Sequence, residues 1–258
     1  MRTILGDLGL ESPMVGTTVT AHIKSSGPDG FRCAVYDPAT GHAMGAHLPR
    51  ADAYDVPDGA APPELVAGDT LIALVVGAPA VTPDGDQRLL LSVTAPELVE
   101  RLLSGFVDEL RTGEVVIKSI ARVAGSKTKI AVAPTNGRVD ARGACIGRGA
   151  SRLKGAERLL NRAFGKERLE IIEYSSDRAT FLANAMNPVH AIDVLVERDT
   201  AVVSIEEHQL SGGIGEGGLN AQLAGQLTGL YVRAVKDGTD LRAALRQAVA
   251  DRSAARAV

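Results

Sequence analysis

The chain has 258 residues, of which 45% are hydrophobic, and a formal net charge of −3, so it can bury a real core and form two or three small domains. No apolar stretch reaches the roughly 18 residues that a membrane-spanning helix needs, and two cysteines, Cys33 and Cys145, are too few for a disulfide framework. The composition therefore excludes a membrane-spanning or disulfide-rich secreted protein and predicts a soluble cytoplasmic protein with reduced, buried thiols.

The first part of the chain, from Val15 to Val93, has a strand pattern throughout. Between Val15 and Ile23, apolar or small residues alternate with polar ones, as in a strand with one buried face. Further strands are predicted at 31–36, 42–47, 71–76 and 89–93, with turns at 27–30 and 83–86 and a long loop that carries Pro49, Pro57, Pro62 and Pro63. Five short strands in about 80 residues are typical of a small closed barrel, and the OB-fold is the usual one.

The rest of the chain repeats one order of elements. In the first copy, a helical stretch at 96–110 is followed by strands at 115–123 and 129–133, a glycine-rich loop flanked by two helices, and a strand at 169–173. The helix after the loop carries apolar positions from Leu153 to Phe164. The second copy has a helix at 177–185, strands at 192–196 and 201–205, a loop, a helix at 219–227 and a strand at 230–234. Residues 239–256 predict a last helix, with an apolar stripe of Leu241, Leu245, Ala248 and Val249 and a polar face with Arg242 and Arg246.

The two glycine-rich loops lie 68 positions apart and read Ile146-Gly147-Arg148-Gly149-Ala150 and Ile214-Gly215-Glu216-Gly217-Gly218. Glycine lets a backbone approach a ligand closely, and the free N–H groups at a helix start attract phosphate. A repeated loop of this kind is typical of the KH domain, which clamps about four backbone nucleotides of RNA. We therefore predict an α+β multidomain protein with an N-terminal five-stranded OB-fold β-barrel at 13–95, two tandem type II KH domains at 96–175 and 176–236, and a C-terminal helical tail at 237–258.

Charge is distributed unevenly along the chain. Residues 1–110 have a balance of −9, residues 111–173 of +8 and residues 174–235 of −4. Because local charge decides phosphate affinity, the basic segment with the first loop is the expected RNA-contacting surface. Besides the ten loop residues, the candidate RNA-binding residues are Ser151, Arg152 and Lys154 after the first loop, Asn220 after the second, and Arg32, Tyr36 and His47 on or near the second and third barrel strands, where OB-folds bind oligonucleotides.

Other chemistries have weaker support in the sequence. Gly213, Gly215 and Gly218 satisfy a dinucleotide-binding pattern with an acid at Asp237, but several residues separate them from the preceding strand and only one strand follows. A phosphate-binding lysine loop is also missing, because Gly165-Lys166 is followed by Glu167. No serine-nucleophile motif occurs, and the five histidines lack metal-ligand spacing. We expect no catalytic residues, no metal and no cofactor, and hence no enzyme.

Longer motifs resemble a known family, the bacterial transcription factor NusA. Residues 143–147, preceded by 127–132 and continued by 170–175 and 183–188, resemble its first KH domain, and residues 209–211, 214–215, 220–221 and 227–229 resemble its second. Leu91-Ser92-Val93-Thr94, leading to Pro96, is similar to the family's S-one-type OB-fold. The resemblance covers about residues 13–235. It implies a single-stranded RNA-binding protein that acts on the nascent transcript and modulates pausing, termination and antitermination, with RNA polymerase or other transcription factors as further partners.

Three departures from the family pattern qualify these expectations. The barrel begins about a dozen residues from Met1, so the family's N-terminal polymerase-binding domain is expected to be absent and polymerase binding is left open. Ala150 stands where the family has glycine, and a shifted turn at Gly149 would compensate. In the second loop Glu216 replaces a lysine, and Gln222 and Gln226 replace arginines, which weakens any phosphate-tracking surface there. The alternative function is a protein-interaction or regulatory scaffold that keeps the KH architecture with little RNA affinity.

Overall fold

The structure is a computed structural model that describes residues 14–36, 41–54, 64–81, 87–161 and 166–255. The strands are β1 (Thr18–Gly27), β2 (Gly30–Tyr36), β3 (Ala43–Pro49), β4 (Thr70–Val81), β5 (Gln87–Ser92), β6 (Val115–Val123), β7 (Lys127–Pro134), β8 (Arg168–Glu173), β9 (Ala191–Glu197), β10 (Thr200–Ile205) and β11 (Tyr231–Lys236). The helices are α1 (Arg50–Ala53), α2 (Pro96–Ser104), α3 (Asp108–Arg111), α4 (Ala141–Ile146), α5 (Ser151–Leu160), α6 (Arg178–Ala185), α7 (Leu210–Ile214), α8 (Leu219–Thr228) and α9 (Leu241–Ala255).

The chain divides into two compact units. The first comprises Met1–Asp108, Val123–Lys127 and Ala150–Arg168, and the second comprises Glu109–Arg122, Thr128–Gly149 and Leu169–Val258. The domain boundaries expected from the sequence, after residues 95, 175 and 236, stay a prediction. Among the described helices, none combines the length and the apolar character needed to cross a membrane.

The barrel of the first unit confirms the predicted five strands. They close in the order β1-β2-β3-β5-β4, with antiparallel pairs except for the parallel contact between β3 and β5. Alternate side chains point inward and are fully or almost fully buried, among them Ala21, Ile23, Phe31, Val35 and Leu48. Cys33 shares this interior, and burial raises the pKa of its thiol to about 12. The predicted turn at 83–86 and the prolines at 57, 62 and 63 lie outside the described residues.

The helical stretch predicted at 96–110 consists of two helices, α2 and α3, with a break between them. The amide of Gly105 bonds to the carbonyls of Arg101 and Leu102, both at 3.2 Å, and the chain then turns so that Val107 is fully buried. Phe106 packs against Gly155 of α5, where an added Cβ would lie 2.6 Å from the ring carbon Cε1. The break thus places Phe106 against α5, which ends at Leu160. Phe164 lies outside the described residues.

The second unit contains two three-stranded sheets, ordered β6-β7-β8 and β11-β10-β9. In the second sheet, the central β10 is antiparallel to β9 and parallel to β11, and its six residues are all buried. Ser119 on β6 donates to the carbonyl of Leu227 in α8 at 3.0 Å, which joins the two modules. The barrel followed by two α/β modules and a last helix confirms the predicted fold class.

The last helix packs through its predicted apolar stripe, with one exception. Leu245 and Ala248 of α9 are buried against Val202 of β10, with Leu241 packed beside them. Val249 is 43% exposed and does not belong to the buried stripe, because it lies one position beyond the face that meets the sheet. Ion pairs between Arg233 and Asp251, at 2.6 Å, and between Arg252 and Asp199, at 2.5 Å, hold the helix at its C-terminal half.

Candidate nucleic-acid interface

The two glycine-rich loops have the same local build. Each follows a short helix, α4 or α7, passes through a 3-10 turn, and opens a ten-residue helix, α5 or α8. In both, the N–H of the first glycine bonds back to the preceding helix: Gly147 to the carbonyl of Gly143 at 2.9 Å, and Gly215 to that of Ser211 at 2.8 Å. The sequence repeat is therefore also a structural repeat.

The backbone angles match position by position. Gly147 (φ 73°, ψ 168°) and Gly215 (φ 80°, ψ 167°) occupy a region that is essentially restricted to glycine. Gly149 (φ 61°, ψ 24°) and Gly217 (φ 58°, ψ 18°) are both left-handed. The compensating shift expected at Gly149 is therefore not seen.

Ala150 instead adopts the left-handed conformation itself. Its φ of 60° and ψ of 27° correspond to the φ of 82° and ψ of 4° of Gly218 in the second loop. A residue with a Cβ atom pays about 1–2 kcal/mol for this conformation. The first loop thus keeps the KH backbone at the expense of local strain.

The first loop is surrounded by exposed cations. Arg148 and Lys154 are exposed, as are Gly149 and Ser151, whereas Ile146, Gly147, Ala150 and Arg152 are half-buried. On α5 and just after it, an open concavity of about 490 Å³ is lined by two cations, one acid and two polar residues: Lys154, Arg158, Glu157, Ser151 and Asn161. Because a helix N-terminus carries partial positive charge, cations beside it strengthen its attraction for phosphate. This arrangement suits a polyanion.

The second loop has the same backbone conformation as the first, but the helix that follows it, α8, carries no lysine or arginine. Ile214 is 39% exposed, and Glu216 and Gly217 are exposed, but the solvent-facing positions of α8 are Gln222 and Gln226. The turn before α7 carries the acids Glu206 and Glu207. Oε1 of Glu207 lies 3.5 Å from Nζ of Lys236. The charge around this loop therefore disfavours phosphate.

Asn220 lies beneath the second loop. It is 2% exposed, and its Nδ2 donates to the carbonyls of Met186 and Gly213, both at 3.2 Å. An added Cβ on Gly215 would lie 2.6 Å from the amide nitrogen of Asn220. Among the described residues, its Oδ1 has no hydrogen-bond partner. Asn220, expected to contact RNA, is therefore buried and bonded to the backbone that precedes the loop.

The barrel candidates form two groups on the outer face. Arg32 and His47 are direct cross-strand partners on β2 and β3. Tyr36, 53% exposed, lies farther along β2 and meets His22 edge-to-face, with ring centroids 5.6 Å apart. The sequence placed His22 on the polar face of the first strand but gave no sign of this pairing, which depends on the β1–β2 register.

Arg142 is a basic residue that no local sequence pattern singles out. It is exposed on α4, and its Nε donates to the carbonyl of Ile171 on β8 at 3.3 Å. The helix that carries it is capped by Asp140, whose carboxylate accepts from the amide of Gly143 at 2.9 Å. Asp177 caps α6 in the same way, and hydrogen bonds from the hydroxyl and amide of Thr180 lower the pKa of its carboxyl.

Metal-ligating side chains do not gather anywhere in the described ranges, where no group of three or more His, Cys, Asp or Glu residues is placed to hold an ion.

Comparison with known proteins places this geometry in a family. Residues 93–174 match the NusA-like first KH domain, and residues 178–240 match the NusA-like second KH domain. The transcription termination/antitermination protein NusA of Bacillus subtilis (strain 168) is 38% identical over 157 residues, which are 60% of this chain and 41% of that protein. The protein of the same name from Mycobacterium tuberculosis (strain ATCC 25618 / H37Rv) is 40% identical over 166 residues, 63% of this chain and 46% of that protein.

Among solved structures, the crystal structure of APE1850 is 27% identical, covers 53% of this chain and 96% of that chain, and has a TM-score of 0.37. The matched region spans less than half the length of the two NusA relatives. Because the two KH matches lie in tandem and together cover more than half of its residues, the chain belongs to the NusA-like KH proteins.

Proposed function

We propose that this protein binds single-stranded RNA and acts on nascent transcripts in transcription termination or antitermination. The observation that carries the proposal is the first loop, which keeps the KH backbone and presents exposed Arg148 and Lys154 at the start of α5. The names of the NusA relatives point to the transcriptional process. RNA polymerase and other transcription factors are the proposed protein partners.

In the proposed mechanism the first loop provides most of the binding energy. Its backbone amides and the N-terminus of α5 hold phosphates, and Arg148 and Lys154 displace counterions from the RNA. The bases of the strand then lie along the module beside the loop and are read at their edges. In the proposal, the candidate barrel residues Arg32, Tyr36 and His47 also contact RNA.

The second loop contributes less in this mechanism. It keeps the glycine backbone, but Glu216 repels phosphate and Gln222 and Gln226 supply no charge. The same features favour the second candidate function, a scaffold that binds proteins and has little RNA affinity. The two functions differ in whether RNA binding depends on salt and on the first loop.

The test is the affinity of the full chain for a pool of single-stranded RNA at two or more salt concentrations. Arg148→Glu with Lys154→Glu changes two exposed cations at the first loop. Arg242→Glu with Arg246→Glu makes the same charge change on the exposed face of α9 and serves as the matched control.

For RNA recognition we expect log Kd to vary linearly with log salt, with a slope of about 0.7 per phosphate contact. The loop variant should bind at least tenfold more weakly, while the α9 control should bind nearly as the native chain does. Weak association that is independent of salt and equal in all three proteins would refute RNA binding and favour the scaffold.

A further inference from the structure

The last helix, α9, follows the second sheet in the same way as α6 follows the first. α6 begins four residues after β8 ends, and α9 begins four residues after β11 ends. The first residue after each of these strands donates its N–H to the central strand. Tyr174 donates to the carbonyl of Val132 on β7, and Asp237 to that of Ile205 on β10, both at 2.9 Å. The two connections are therefore built alike, and Val132 and Ile205 are equivalent positions.

The helices that follow these connections also match. Each is preceded by an aspartate, Asp177 or Asp240, that accepts hydrogen bonds from the amides of the first turn. Each helix also buries a leucine at its fifth residue and an alanine at its eighth. These are Leu182 and Ala185 in α6, and Leu245 and Ala248 in α9. The cap and the buried stripe of a module's leading helix are thus repeated in α9.

Both helices lie on the same face of the sheet that precedes them. Lys129 and Val202 are equivalent positions on the central strands, each three residues before the carbonyl that accepts from the connection. Nζ of Lys129 donates to the carbonyl of Asn187, just after α6, at 2.6 Å. Val202 packs against the buried leucine and alanine of α9. This face of each sheet is therefore a surface on which a helix docks.

α9 is attached to its sheet largely through exposed contacts. Arg252 pairs with Asp199 and lies over the ring of Tyr231, 5.8 Å from its centroid. Arg233 pairs with Asp251 at 2.6 Å. The side chains of Asp199, Arg233 and Asp251 are between 41% and 55% exposed, and salt screens ion pairs of this kind. We therefore expect α9 to open more readily than β10, whose six residues are all buried.

The second module has a core that does not involve α9. α6 contacts β9, and α7 and α8 contact β11. Ile205 packs against Gly213 of α7, where an added Cβ would lie 2.3 Å from Cδ1 of Ile205. Because side chains alternate along a strand, Val202 points to the opposite face. Release of α9 uncovers that face, which we call the α9-covered face and which consists of Leu195, Val202 and Val235.

We propose that the α9-covered face is a docking surface for an amphipathic helix of a partner protein, and that α9 is the internal helix that occupies it in the absence of the partner. The side chains of α9 that meet the sheet are Leu241, Leu245, Ala248 and Arg252. Their spacing of i, i+4, i+7 and i+11 is the one with which helices dock into apolar grooves. The face therefore selects a helix with three small or branched apolar residues at this spacing, followed by a cation that reaches Asp199.

The test supplies the helix as a separate molecule. The probe is a fluorescein-labelled peptide of residues 239–256, titrated against three full-length chains. These are the native chain, Leu245→Asp with Ala248→Asp, and Arg242→Glu with Arg246→Glu. The first pair of changes puts carboxylates on the buried stripe and releases α9, whereas the second changes its exposed side and is the matched control. A peptide with the same two aspartates is the control ligand.

We expect the peptide to bind the released chain at least about tenfold more tightly than the native chain or the control, because a tethered helix competes at an effective concentration in the millimolar range. Hydrogen exchange, read by mass spectrometry, should show α9 unprotected in the released chain while β10 keeps its native protection. Neither measurement uses RNA, so the result does not depend on the proposed function.

Arg252→Ala is a milder change that serves if the double variant does not fold. It removes the ion pair with Asp199 and the contact with Tyr231, so the amides of α9 should exchange several-fold faster and those of β10 at the native rate. Loss of protection in β10 together with α9, in either variant, would overturn the proposal, because α9 would then be part of the core of the module. A released chain that keeps its sheet but fails to prefer the native peptide over the control ligand would overturn it as well.

Discussion

Relieving the strain at Ala150 should stabilise the protein. Its left-handed backbone costs an L-residue about 1–2 kcal/mol, and Ala150→Gly removes that cost. Glycine also gives the unfolded chain more freedom, which lowers stability by about 0.4–1 kcal/mol. The midpoints of these two ranges differ by about 0.8 kcal/mol, so we expect the free energy of unfolding to rise by about that amount in Ala150→Gly.

The second loop provides the reciprocal control. Gly218 has the equivalent conformation, and among the described atoms none lies within 4 Å of a Cβ added there. Gly218→Ala therefore introduces the conformational cost without a clash, and the free energy of unfolding should fall by about 0.5–1 kcal/mol. The two substitutions exchange the same residue types at matching positions and should have opposite signs.

Urea unfolding followed by circular dichroism measures both effects, provided that the slope with denaturant is unchanged. RNA affinity measured in parallel should rise in Ala150→Gly, because a loop without the methyl group lets phosphate approach the amides more closely. A loss of stability in Ala150→Gly, or no effect of Gly218→Ala, would show that the left-handed backbone is not a source of strain.

Three further substitutions test separate parts of the structure. Lys129→Met leaves Glu170 and the carbonyl of Asn187 without their buried cation and should lower the free energy of unfolding in urea by about 3 kcal/mol. Adding Glu170→Leu should restore much of this stability. Losses that simply add in the double variant would contradict the pairing of Lys129 with Glu170. Gly155→Ala puts a methyl group against the ring of Phe106 and should cost about 1–3 kcal/mol, with partial rescue by Phe106→Leu. Glu216→Lys should tighten RNA binding and steepen its salt slope by about 0.7 if the second loop follows the strand, and an unchanged slope would show that it does not.

The elements of the fold were largely predictable because each has a strong local pattern. The bounds of β6, 115–123, agree residue for residue with the structure, and the five barrel strands lie where alternation predicts them. The break between α2 and α3 was not predictable, since residues 96–110 have a continuous helical pattern. It depends on the packing of Phe106 against Gly155, some fifty positions away in sequence.

The candidate site was predictable only where it is a local motif. The loops and their exposed cations follow from the sequence, and Ala150 is recognisable as a departure there. Its left-handed backbone is not, because the sequence leaves open a shift at Gly149. The buried amide of Asn220 and the groove between Arg142 and His190 arise from long-range contacts, so no local sequence pattern predicts them.

We infer that the two loops share a backbone conformation but differ in RNA affinity. Photo-cross-linking of the full chain to 4-thiouridine-substituted single-stranded RNA, with the linked peptides identified by mass spectrometry, tests it directly. We predict that cross-links concentrate in residues 146–154 and are several-fold weaker in residues 214–220. Equal labelling of both loops, or labelling that favours the second, would show that the first loop is not the stronger RNA contact.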